Sequence, residues 1–138
     1  MSETILLAYD DSDPAQRALQ RAAALATALG ARLVVTSVAP VTTPAGGRSL
    51  GADPTDTGPE HRAELARARD YLQREGLHAD YVEALGHPAD SILAAATASG
   101  AGLIVLGARH LSLAQRLLGQ SVSDAVSHGA RCDVLIVH

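Results

Sequence analysis

Residues 103–110 read Leu-Ile-Val-Leu-Gly-Ala-Arg-His, and residues 120–123 read Gln-Ser-Val-Ser. Leu103 to Leu106 is a continuous apolar run suited to a strand covered on both faces, and Gly107 ends it. Ser121 and Ser123 then open what reads as the last helix. A glycine after an apolar strand, followed by small hydroxyl residues at a helix start, is a common way for an α/β protein to hold an anion. Free backbone N–H groups and the positive end of the helix dipole both face the ligand. The pattern predicts an anion pocket built from Gly107, Arg109, His110, Ser121, Val122 and Ser123.

The segments before and after this stretch share its style. Thr4 to Tyr9 is a second continuous apolar run, broken by Asp10-Asp11-Ser12. Asp13 is expected as the N-cap of a helix, with Pro14 at the first helical position and Gln16 completing a capping box. Ala15, Ala18, Leu19, Ala22, Leu25, Ala26 and Leu29 form its apolar stripe, and Gly30 stops it. Arg32 to Val38 reads as strand two. Residues 39–59, rich in Pro, Gly, Thr and Asp, lack periodicity and are expected to be a flexible loop. A charged amphipathic helix follows over Pro59 to Glu75, with Leu65, Ala68 and Leu72 inward. His78 to Leu85 alternates like a half-exposed strand. Pro88 begins a helix that carries Ile92, Leu93 and Ala96 and ends at Gly100. Ser121 to His128 is the last helix, stopped by Gly129, and Asp133 to Val137 is strand five.

Strands and helices thus alternate throughout, which predicts one α/β domain over residues 1–138. Right-handed crossovers make its sheet parallel and doubly wound, with helices on both faces. The expected strand order is 3-2-1-4-5, with strands one and four adjacent and their connections leaving in opposite directions. Ligands bind at the carboxyl ends of such a pair. Asp10 and Gly107, and with them Ala8, Tyr9, Ser12 and Val38, are therefore expected around one cleft.

Composition limits what that cleft can do. The 138 residues are 47% apolar but only 2% aromatic, with three Tyr and no Phe or Trp, so the core must be aliphatic. A net charge of −4 speaks against generic nucleic-acid or acidic-membrane binding. No apolar run approaches membrane-spanning length, and Met1-Ser2-Glu3-Thr4 leads directly into a strand, so neither a membrane anchor nor a signal peptide is expected. Cys132 is the single cysteine, which fits a reduced, cytoplasmic setting and a structural thiol.

All eleven basic residues are arginine. A Walker phosphate loop, which needs Gly-Lys-Ser/Thr, is thereby excluded. So is a phosphoacceptor domain, which needs a Lys after strand five and an acceptor Asp after strand three, where this chain has Glu83-Ala84-Leu85-Gly86. No G-x-G-x-x-G turn follows strand one, and only Tyr9 is near enough to cover a flavin ring. The acids after strand one read equally as helix caps and solvated loop acids. His61, His78, His87, His110, His128 and His138 show no short metal-ligand spacing. Ser121 and Ser123 have no G-x-S-x-G elbow, so helix capping accounts for them. Arg17, Arg21, Arg62, Arg67, Arg69 and Arg74 read as solvated helix faces. No catalytic residue or metal site is assigned; a weak ATPase is the most the chain is expected to be.

The chain resembles the universal stress protein family over its whole length. The resemblance is carried by Ile5 to Ser12, by Gly86-His87-Pro88-Ala89-Asp90-Ser91-Ile92-Leu93, by Leu103 to Arg109, and by Ser121 to Val126 with Cys132 to Val137. ATP-binding members carry G-x-x-G, nine residues, then G-S/T. Gly107 fills the first position and Ser121 the last, while His110 and Gln120 replace the second and third glycines and Gly119 can serve if the turn slides by one. Asp10 matches the acid that contacts adenine, and Val38 the apolar residue beside the base. A Cβ at a phosphate-contacting position can cost about 1 kcal/mol, whereas His110 and Arg109 can both donate to phosphate.

The resemblance implies a small stress-response sensor or binding module that holds ATP, AMP or a related adenine nucleotide, with Mg²⁺ accompanying ATP. The alternative is a member that binds no nucleotide and acts as a dimeric adaptor. Strand five would be an edge reading Val134-Leu135-Ile136-Val137, with no lysine or proline to discourage pairing, and a homodimer through it is expected.

Overall fold

The computed structural model describes residues 3–10, 12–38, 54–84, 88–108 and 122–138, and for residues 38, 54–61, 84 and 88 the backbone alone. The described elements alternate as β1 (Thr4–Tyr9), α1 (Asp13–Leu29), β2 (Arg32–Val38), α2 (Pro54–Arg74), β3 (Ala79–Ala84), α3 (Pro88–Ser99), β4 (Leu103–Gly107), α4 (Val122–Gly129) and β5 (Asp133–Val137). The strands form one five-stranded sheet in the order β3-β2-β1-β4-β5, every neighbouring pair parallel. This is the doubly wound α/β arrangement that the alternating pattern predicts.

β1 is central, with Ile5 in register with Leu33 on one side and Leu103 on the other. Its side chains alternate between two cores. Ile5, Leu7 and Tyr9 face α1 and α2 together with Leu33, Val35 and Val105. Leu6 and Ala8 face α3 and α4 together with Val34, Ile104 and Leu106. Burial on both faces is why β1 and β4 read as unbroken apolar runs. Each fully buried Leu or Ile contributes about 2 kcal/mol, and the aliphatic composition suffices because Ala15, Ala18, Ala22 and Ala26 let α1 lie close on the sheet. Leu29, the last residue of the predicted stripe, is exposed.

Three local details differ from the sequence reading. The N-cap of α1 is Ser12, not Asp13: the Ser12 Oγ accepts from the Ala15 N–H at 3.2 Å. Asp10 decides this, because its Oδ1 accepts from both the Ser12 N–H and the Ser12 hydroxyl. Asp13 becomes a first-turn acid at the positive end of the dipole. Second, α2 starts at Pro54, so residues 54–59 of the expected 39–59 loop are helical, while 39–53 lie outside the described residues. Pro54 and Pro59 both suit a helix start, and no apolar residue stands between Pro54 and His61 to let periodicity choose. Third, Gly129 belongs to α4. Its Cβ position lies 2.6 Å from Leu93 Cδ1, at the contact between α4 and α3. Gly30, by contrast, is a left-handed C-cap at φ 62°, its N–H donating to the Ala26 carbonyl.

Candidate ligand cleft

The chain leaves β1 toward α1 on one face, while α4, the described helix after β4, lies on the other. A cleft opens at the carboxyl ends of this adjacent pair, where doubly wound proteins hold ligands. Ala8, Tyr9 and Asp10 from β1 and the turn after it line it, with Leu106 and Gly107 from β4. Ala15 of α1, Ile92 of α3 and the first residues of α4, Val122 and Ser123, close it. The enclosed space is about 40 Å³, and about 410 Å³ when the open mouth is counted. The enclosed part holds only a few waters; the rest is open to solvent.

Two of these residues have structural roles that are visible in the geometry. Asp10, half-buried, fixes the Ser12 cap as described. Gly107 lies against the start of α1: a Cβ built on it would fall 2.6 Å from the Pro14 carbonyl carbon and 2.7 Å from the Ala15 nitrogen. These are backbone atoms that no rotamer change can move away. Just beyond, the Ala108 N–H donates to the Val137 carbonyl at 2.7 Å, and Arg17 Nε donates to the His138 carbonyl at 2.8 Å. The β4 end, the α1 start and the chain end are thus bound into one unit.

Of the residues singled out from sequence, Ala8, Tyr9, Asp10, Gly107, Val122 and Ser123 line this one cleft, and Ser12 stands behind Asp10. Val38 ends β2 by its backbone, with its side chain outside the description, and Arg109, His110, Gly119, Gln120 and Ser121 lie outside the described residues. The sequence reading missed Ala15, Ile92 and Leu106 as walls, because helical and strand periodicity mark them only as core. Together they give an apolar slot with one oriented carboxylate at its edge, suited to a flat, partly polar ring.

Elsewhere, burial pushes the Cys132 thiol up from its ordinary range, with the Asp133 carboxylate adding to the effect, so it stays protonated at neutral pH. Among the described residues no group of three His, Cys, Asp or Glu side chains is placed to hold a metal ion. No described helix is long and apolar enough to cross a membrane.

The profile of the universal stress protein family matches residues 1–138. The universal stress protein in the QAH/OAS sulfhydrylase 3′ region of Thermus aquaticus is 39% identical over 137 residues, covering 99% of both chains. The fold is also similar to a crystal structure of a universal stress protein in complex with cAMP, at TM-score 0.74 and 30% identity, covering 99% of this chain and 96% of the other. A third similar structure is the universal stress protein from Archaeoglobus fulgidus in complex with dAMP, at TM-score 0.67 and 25% identity, covering 100% of this chain and 98% of the other.

Proposed function

This chain belongs to the universal stress protein family, and we propose that it binds an adenine nucleotide at the carboxyl ends of β1 and β4. The carrying observation is the cleft itself: an apolar slot with Asp10 at its edge and the α4 start opposite. The base lies between the apolar walls, with Asp10 accepting from its exocyclic amine. Val38 flanks the base, and the phosphates extend toward Gly107, Arg109, His110, Gly119, Gln120, Ser121 and Ser123, with Mg²⁺ where the ligand is ATP. The cAMP and dAMP held by the two relatives support this ligand class. The protein acts as a cytoplasmic stress-response sensor or binding module, and hydrolysis is weak at most.

The alternative is a dimeric adaptor without nucleotide, with which the packing role of Gly107 is equally compatible. Packing against Pro14 and Ala15 requires glycine at 107 whether or not a phosphate binds there. Mass spectrometry of material released by denaturing the purified protein separates the two. An adenine nucleotide is expected; a protein that is empty and also ignores added ATP, AMP and cAMP leaves the adaptor.

The quaternary reading concerns β5, an edge of the sheet whose Val134, Leu135 and Ile136 are half-buried and whose Val137 is buried. Antiparallel pairing of two copies satisfies this edge and gives a homodimer with a self-complementary interface. Sedimentation at micromolar concentration is expected to show a dimer that Ile136→Lys splits. A monomeric parent, or a dimer indifferent to that charge, contradicts it.

A further inference from the structure

α1 and α2 lie on the same face of the sheet, yet α1 packs over β1, β4 and β5 whereas α2 packs over β2 and β3. The two helices approach each other far less than either approaches the sheet, and a trench of about 240 Å³ runs between them. That is roughly eight water volumes, enough for a small organic molecule.

Its floor is apolar and aromatic, formed by buried Tyr9 and Leu19 and half-buried Tyr71. Its walls are polar. Gln16 and Gln20 stand one turn apart on α1, and Arg67 and Arg74 stand two turns apart on α2. Asp70 lies between the arginines. Arg74 is steadied along its helix by Nε donating to the Asp70 carbonyl at 3.3 Å. All five wall side chains are exposed, so none fills the core.

Half-buried Tyr71 below and guanidinium groups in the walls suit one chemistry. Tyrosine faces take a planar apolar body, and arginine takes a carboxylate or phosphate in its fork. We propose that the trench between α1 and α2 is a second ligand site, separate from the β1/β4 cleft, for a small aromatic compound bearing a single anionic group. Tyr9 lines both spaces, so the two sites share a wall.

The test uses the full chain without nucleotide, so it stands or fails apart from the cleft reading. Benzoate, phenyl phosphate and inorganic phosphate are titrated in turn while NMR follows the side-chain amides of Gln16 and Gln20 and the Tyr71 ring. Saturable shifts are expected with benzoate or phenyl phosphate, and the tighter of the two assigns the anion. The double variant Arg67→Ala, Arg74→Ala should weaken that binding by about tenfold or more with an unchanged melting temperature. Shifts that never saturate, an affinity indifferent to the double variant, or inorganic phosphate binding as tightly as the aromatic probes would overturn the proposal.

Discussion

The β1/β4 cleft and the α1/α2 trench are neighbours divided by Tyr9, yet they are made in opposite ways. The cleft is a product of topology, and residues on it also hold the fold. Gly107 admits the start of α1, and Asp10 sets the Ser12 cap. The trench walls are exposed side chains on two helices, and the core is complete without them. A change at the cleft therefore disturbs folding and any binding together, whereas a change at the exposed trench walls leaves the core intact.

Gly107→Ala is the strongest way to break this contrast. Its Cβ meets the backbone of Pro14 and Ala15, and overpacking of that kind should cost about 2 kcal/mol in urea unfolding. A loss too small to measure would mean that α1 yields freely and that the cleft is as loosely tied to the fold as the trench.

Ser12→Ala comes next. It removes the acceptor for the Ala15 N–H and the hydroxyl held by Asp10, with an expected loss of about 1 kcal/mol. Asp13→Ala should cost less, since that residue only complements the dipole. The reverse ranking would restore Asp13 as the cap. At the trench, Arg67→Ala and Arg74→Ala should each stay within about 0.5 kcal/mol of the parent; a larger loss would make the arginines part of the fold and erase the contrast.

The two sites were unequally legible in the sequence for the same reason. Strand positions and sheet order follow from apolar runs bounded by Gly, Pro and acids, and the switch point follows from the order, so Asp10 and Gly107 could be brought together from distant parts of the chain. Local choices between equivalent residues could not be made. Ser12 and Asp13 both cap well, and only the contact with Asp10 selects Ser12. Gly129 reads as the stop of the last helix, and α4 does end on it, but its place beside Leu93 could not be read from sequence. Arg67 and Arg74 read as a solvated face, and both are exposed; helical spacing does not say that α1 stands across a trench from them. Their signal, two guanidiniums two turns apart opposite two amides one turn apart, has meaning only once α1 and α2 are placed on one face.

The sheet edges repeat the lesson. β3 carries Asp80 and Glu83, paired with Arg32 and Arg62, and Arg69 lies over the Tyr81 ring at 4.5 Å from its centroid. β5 has no charged side chain after Asp133. Charge blunts one edge, and the other is apolar beyond Asp133.

The most direct test of adenine-nucleotide binding at the β1/β4 cleft is an ATP titration followed through the backbone amides of the parent protein. Saturable shifts should appear at Ala8, Asp10, Gly107 and Ser123, with the side-chain amides of Gln16 and Gln20 in the trench unmoved. No saturation at millimolar ATP, or shifts confined to the trench, would contradict it.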